Sequence, residues 1–160
     1  MDVIAGQVVL HPLAVDEVER VLRRQLAPGE RWAVDYPTDV QVDYLQAYLI
    51  ETRSPQHEWV WQAQVRRRID GLVVGGAGVT GPPDELGTLV IGYELAAEMS
   101  DAEHGVGIVR ALIEVAREMG AKRVITDVFD DDQLRRHVYF GAGFSELRRD
   151  GRVVYLERDM

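Results

Sequence analysis

The 160-residue chain is predicted to be a single α+β domain covering residues 1–160, a mixed sheet of about seven mostly antiparallel strands with about four helices on its faces. Three observations lead there. Trp59, Trp61, Ala63 and Val65 alternate with polar residues, the period of a half-buried strand. Thr88 to Leu95 is near-continuously apolar, as a central strand is. Ile108, Leu112, Val115, Ala116 and Met119 then recur at helical spacing.

Taken in order, Gln7 to His11 reads as the first strand. Asp16 then opens a helix with Val18, Val21, Leu22 and Leu26 on one face and Glu19 placed for a capping box, and Pro28 and Gly29 end it. Thr38 with Gln41 repeats the capping pattern before a second helix carrying Val42, Leu45 and Leu49, which stops ahead of Ser54 and Pro55. From Glu58 the pattern is that of strands. Asp70-Gly71 supplies a tight turn into Leu72 to Thr80, the Gly/Pro/Asp-rich loop Gly81 to Gly87 follows, and Thr88 to Leu95 completes a meander. The loop Ala96 to His104 leads to the long helix, which Gly120 closes. Arg123 to Val128 is a β-branched strand and Gln133 to Phe140 a short helix stopped by Gly141. Phe144 to Arg149 and Arg152 to Arg158 form a hairpin about Asp150-Gly151.

Composition narrows the chemistry. There is no cysteine, hence no disulfide scaffold, thiolate nucleophile or thiolate metal site. No stretch approaches the roughly 20 apolar residues of a membrane span and the N-terminus lacks a signal-peptide pattern, so the expected location is the cytoplasm, away from membrane. A net charge of -9 argues against nucleic acid as a partner and suits an amine-bearing one. His104 and His137 have no partner at ligand spacing, and no metal is assigned.

The segment with chemical promise is Gly105-Val106-Gly107, set between an apolar strand ending at Leu95 and an amphipathic helix from about Ile108. Glycines permit close approach of the backbone, and first-turn amides with the helix dipole favour an anion such as a diphosphate. The same pattern is also that of a plain turn. Some thirty residues on stand Asp132 and the run Val138-Tyr139-Phe140-Gly141-Ala142-Gly143-Phe144.

The glycine segment at a helix start, followed by a strand and a short helix closing on Tyr and a Gly-Phe pair, resembles the acetyl-CoA and C-terminal motifs of the GCN5-related N-acetyltransferase (GNAT) family. Gly71 to Gly92 looks like the strands of its ribosomal-protein N-terminal subgroup. The likeness covers roughly residues 58 to 149. It implies the acyl-CoA N-acyltransferase fold, with strands splayed between Leu95 and Arg123 to admit CoA, and transfer of acetyl from acetyl-CoA to a primary amine by direct attack. The acceptor would be a small molecule or a peptide, and a homodimer is common in proteins of this resemblance.

Residue by residue, the resemblance implies that Gly105, Val106, Gly107 and the helix start at Ile108 hold the CoA diphosphate, with His104 or Arg110 adding charge. Leu95 would meet the pantetheine arm through its backbone. Asp132 stands where the family has Asn, beside the same arm. Tyr139 matches the Tyr that protonates the departing thiolate. The expected base is a carboxylate, and Glu94 is the candidate. On residues alone Tyr139 reads first as a packing aromatic, an order that only its place before Gly-x-Gly-Phe reverses, and Glu94 reads equally as a solvated strand residue. Trp32, Asp35 and Tyr36 either line the acceptor pocket or staple the helices. The family's Arg or Gln ahead of the first glycine is Ala102 here, and Arg135 replaces a small residue. The alternatives are therefore a non-catalytic acyl-CoA-binding or regulatory module on the same fold, and a structural interaction protein.

Overall fold

The computed structural model describes residues 1–55 and 57–160. The chain opens on a hairpin in which β1 (Val3–Ala5) pairs antiparallel with β2 (Val8–Pro12), and Gly6 at φ +64 supplies the left-handed turn. This extra short strand makes the described sheet eight-stranded where about seven were expected. Helix α1 (Val15–Leu22) buries Val18 and Val21. Its start is not the predicted Asp16 and Glu19 pair: the Glu17 carboxylate accepts the Ala14 amide at 3.1 Å. The helix ends before Leu26, whose side chain is exposed.

Helix α2 (Asp39–Glu51) begins with the expected reciprocal cap. The Gln41 amide donates to Thr38 Oγ1 at 3.2 Å and the Thr38 amide to Gln41 Oε1 at 2.8 Å. The meander follows as β3 (Val60–Arg67), β4 (Val73–Thr80) and β5 (Thr88–Leu95), all antiparallel. In the loop before β5, Asp84 Oδ1 accepts the Leu86 and Thr88 amides, each at 2.9 Å. Helix α3 (Ala102–Glu118), β6 (Arg123–Phe129), helix α4 (Gln133–Gly141), β7 (Ser145–Asp150) and β8 (Val153–Asp159) complete the order.

The strands lie in the sequence β1-β2-β3-β4-β5-β6-β8-β7, with β5 and β6 as the parallel pair and the other neighbours antiparallel. One core runs through the sheet and α3. Leu10, Val65, Leu89, Ile108, Leu112 and Leu156 are fully buried in it, and each such side chain contributes about 1.5–3 kcal/mol by leaving water.

Candidate functional site

Strands β5 and β6 are joined only at Thr88–Arg123, Leu89–Val124 and Val90–Ile125. Beyond that point β5 continues on β4 and β6 on β8, so the sheet splays where the resemblance implied it would, between the end of β5 and β6. The splay leaves backbone groups of β5 without a strand partner. Glu94 C=O faces β4, since Gln41 of α2 donates to it at 3.1 Å, and the Ala96 amide donates to Val74 C=O. Tyr93 C=O faces the gap, and by strand alternation Leu95 N–H and C=O, two residues on, face it as well. Leu95 thus offers an edge on which an extended arm can lie.

Tyr139 of α4 sits at the floor of the gap with its ring 1% exposed. It packs edge-on against Phe144 at 5.0 Å between centroids and tilted against Tyr93 at 6.0 Å. The Thr126 hydroxyl of β6 donates to the Tyr139 oxygen at 3.3 Å, which leaves the phenolic proton free for the pocket. Burial raises the pKa of Tyr139 well above that of a free phenol, and burial also pushes Tyr93 up to about 12. Both therefore stay protonated at neutral pH and act as donors.

Glu94, on the face of β5 opposite Tyr93, lines an open pocket together with Tyr139, Thr126, Asp127, Tyr44 and Tyr36. Arg135 of α4 reaches across this pocket. Its Nη1 donates to Tyr93 C=O at 2.7 Å, its Nη2 lies 3.3 Å from Glu94 Oε2, and its guanidinium stacks 4.8 Å from the Tyr93 ring centroid. Asp132 is the N-cap of α4, accepting the Arg135 amide at 3.0 Å, and its other oxygen lies 3.4 Å from Arg135 Nε. Its carboxylate is committed to that cap and to Arg135. Residues 93, 94, 132 and 135 form one linked constellation, of which Arg135 was visible in the sequence only as a departure from a pattern.

The mouth of α3 differs from the expectation. The helix starts at Ala102, not near Ile108, so Gly105, Val106 and Gly107 lie inside its first turns and not in a loop ahead of it. Gly105 N–H already donates to Asp101 C=O at 3.1 Å. The His104 amide donates to the Asp101 carboxylate at 2.9 Å, and His104 Nδ1 meets its other oxygen at 2.7 Å. Ile108 is fully buried against the sheet. The Glu103 amide also bonds the Asp101 carboxylate, so what remains at the mouth is the Ala102 amide, beside that carboxylate.

Of the two glycines, one has a packing role that spacing alone does not reveal. A Cβ at Gly105 would come within 2.8 Å of Val138 Cγ2 and 2.9 Å of the Tyr93 hydroxyl, so glycine is what lets α3 close onto α4 and β5. A Cβ at Gly107 would meet only Ala5 C=O, at 3.6 Å.

On the α2 side, Tyr36 lines the pocket. Burial pushes its pKa up to about 12, and Gln64 Nε2 donates to its oxygen at 3.1 Å. Trp32 packs edge-on against Tyr36 at 5.3 Å, and Asp35 accepts the Ala97 amide at 3.3 Å, so of these three it is Tyr36 that faces the pocket. Tyr44 and Asp127 lie on exposed positions of α2 and β6, which no motif singles out. Among the described residues no group of three or more His, Asp or Glu side chains is placed to hold a metal ion, and no helix is long and apolar enough to cross a membrane.

No family model matches the chain, and no curated protein matches it in sequence. Solved structures do match in fold. The ribosomal-protein-S5-alanine acetyltransferase from Vibrio fischeri superposes with a TM-score of 0.68 at 13% identity, over 99% of this chain and 96% of its own. RimL, the ribosomal L7/L12 α-N-protein acetyltransferase in complex with coenzyme A, gives 0.68 at 14%, over 100% and 98%. Apo FdhC, described as a nucleotide-linked sugar GNAT, gives 0.72 at 11%, over 99% and 90%. The chain has the fold of the GCN5-related N-acetyltransferases.

Proposed function

We propose that the protein is an N-acetyltransferase that moves the acetyl group of acetyl-CoA onto a primary amine of a small molecule or peptide. The observation that carries this reading is the conjunction of a splayed β5–β6 pair with Tyr139 and Glu94 lining one pocket at the splay. When bound there, acetyl-CoA supplies an activated acetyl group. Leu95 holds the extended arm through its gap-facing N–H and C=O. The Glu94 carboxylate accepts the proton that the amine gives up as its nitrogen bonds to the acetyl carbon, and the Tyr139 hydroxyl donates a proton to the sulfur as the C–S bond breaks. Asp127 and Glu94 place negative charge at the pocket, which draws in a cationic amine. The diphosphate falls at the first turn of α3, around His104 to Gly107, where the Ala102 amide is open and the next three are engaged by Asp101.

A second reading, a non-catalytic acyl-CoA-binding or regulatory module on the same fold, draws support from Arg135. Its guanidinium occupies Tyr93 C=O, and the Asp101 carboxylate occupies the helix mouth. A thiol-release assay with acetyl-CoA over a panel of primary amines, run beside calorimetry with CoA, separates the two. Turnover that falls in both Glu94→Gln and Tyr139→Phe supports the enzyme; CoA binding with no turnover for any amine supports the module.

A further inference from the structure

A second groove opens at the C-terminal end of α4, sharing no lining residue with the pocket of Glu94 and Arg135. Arg110 of α3, the Gly141 to Gly143 segment that ends α4, and Arg158 of β8 line it. Most arginines of this acidic chain are tied to carboxylates, among them Arg20 to Glu30, Arg123 to Glu157 and Arg135 to Glu94. Arg110 and Arg158 are not: among the described residues neither guanidinium has an ion-pair partner, and Arg158 Nη1 is buried without a hydrogen-bond acceptor. A buried, unpaired guanidinium N–H costs free energy unless an acceptor arrives. Glu114 also lines the groove, but Arg117 Nη1 engages its carboxylate. Gly143, at φ +92, is shaped to this arrangement, because a Cβ there would stand 3.0 Å from Arg158 Nε.

The geometry points to a binding site for a phosphomonoester, in which Arg110 and Arg158 grip the terminal phosphate from two different elements. Two guanidinium forks present more donors than one carboxylate can accept, whereas a phosphate offers three terminal oxygens. Arg110 lies eight residues along α3 from Ala102, about 12 Å along the axis. That is within reach of a nucleotide whose diphosphate rests at the helix mouth. The phosphate therefore has two possible sources, the 3′-phosphate of CoA or a separate phosphate-bearing ligand. The first rests on the acetyltransferase reading above, whereas the site itself does not.

The test follows the backbone amide resonance of Gly143 in the folded protein during titration with inorganic phosphate at fixed ionic strength, with acetate as control. The expected result is a saturable shift with phosphate and none with acetate, weakened at least tenfold in Arg110→Ala, whose exposed side chain the fold does not need. Arg158→Lys, which keeps the charge and loses the fork, is expected to weaken it as well. No phosphate shift, or an equal one with acetate, overturns the site. Calorimetry with CoA and dephospho-CoA then identifies the source. CoA binding at least tenfold tighter, with the difference gone in Arg110→Ala, assigns the cofactor's phosphate; equal binding with the phosphate shift intact rejects the cofactor and keeps a separate ligand. Should neither nucleotide bind, the acetyltransferase reading falls and the Gly143 titration decides the site alone.

Discussion

The Arg135 guanidinium donates to the Tyr93 carbonyl at 2.7 Å, across the gap in which β5 and β6 separate. That carbonyl is one of the groups an extended ligand would use, so bound ligand and arginine compete for it. Arg135→Ala is therefore expected to bind CoA about tenfold more tightly, near 1.4 kcal/mol, as measured by calorimetry. Equal or weaker binding would show that the guanidinium is a strut and no obstacle.

Tyr139→Phe keeps the ring that packs on Phe144 and Tyr93 and removes only the hydroxyl. Acetyl transfer is expected to fall by about ten to a thousandfold with CoA affinity nearly unchanged. Melting temperature is the control, because the lost partner, Thr126, keeps other rotamers available. An unaltered rate rejects the proton-donor role.

Asp101 caps α3 with a carboxylate at the point where a diphosphate would want donors. Hydrogen bonds from the His104 amide and ring hold its pKa below the usual carboxylate range. A depressed folded-state value means the cap contributes fully above the unfolded value of about 4 and fades as the pH falls through the folded one. Stability between pH 6 and 8 should accordingly be indifferent to this group. Asp101→Ser, which keeps a capping oxygen, is expected to change stability by less than about 0.5 kcal/mol while strengthening CoA binding several-fold. Weaker CoA binding in this variant would count against placing the diphosphate there.

Gly105 and Gly107 should respond oppositely to alanine. At Gly105 the new Cβ meets a stiff valine at 2.8 Å and the Tyr93 hydroxyl at 2.9 Å, and overpacking costs about 1–3 kcal/mol, more than the roughly 1 kcal/mol gained in helix propensity. At Gly107 the nearest atom is 3.6 Å away, so propensity wins and Gly107→Ala should stabilise by about 0.5–1 kcal/mol. Urea unfolding decides both. A stabilising Gly105→Ala would mean that α3 and α4 are not in close contact.

This pair also shows where the sequence was legible and where it was not. Periods of two and of 3.6 marked the meander, the end of α3 and the C-terminal hairpin to within about two residues, and Thr38 with Gln41 announced α2. The start of α3 was misplaced because two glycines within six residues argue against helix on propensity. Contacts with Val138 and Tyr93, made by the absence of a side chain, override that argument. Asp101 three residues before His104 was the available signal for the earlier start. Tyr139 and Glu94 were singled out as candidates through their place in a pattern. Arg135 could not be weighed, since its partners Tyr93 and Glu94 lie 42 and 41 positions away. Gln41 is similar: its cap is local, but its bond to Glu94 C=O spans 53 positions.

Because only three residue pairs join β5 to β6, the sheet is bound like two leaves on a short spine. Each leaf keeps its own antiparallel ladder whatever the angle between them. Substitutions that enlarge or shrink the side chains of α4 can then be absorbed by turning one leaf against the other, without breaking a rung. The bore of the cleft is thus written in the short helix that bridges the leaves, and evolution could resize it for a different acyl chain while leaving every strand untouched.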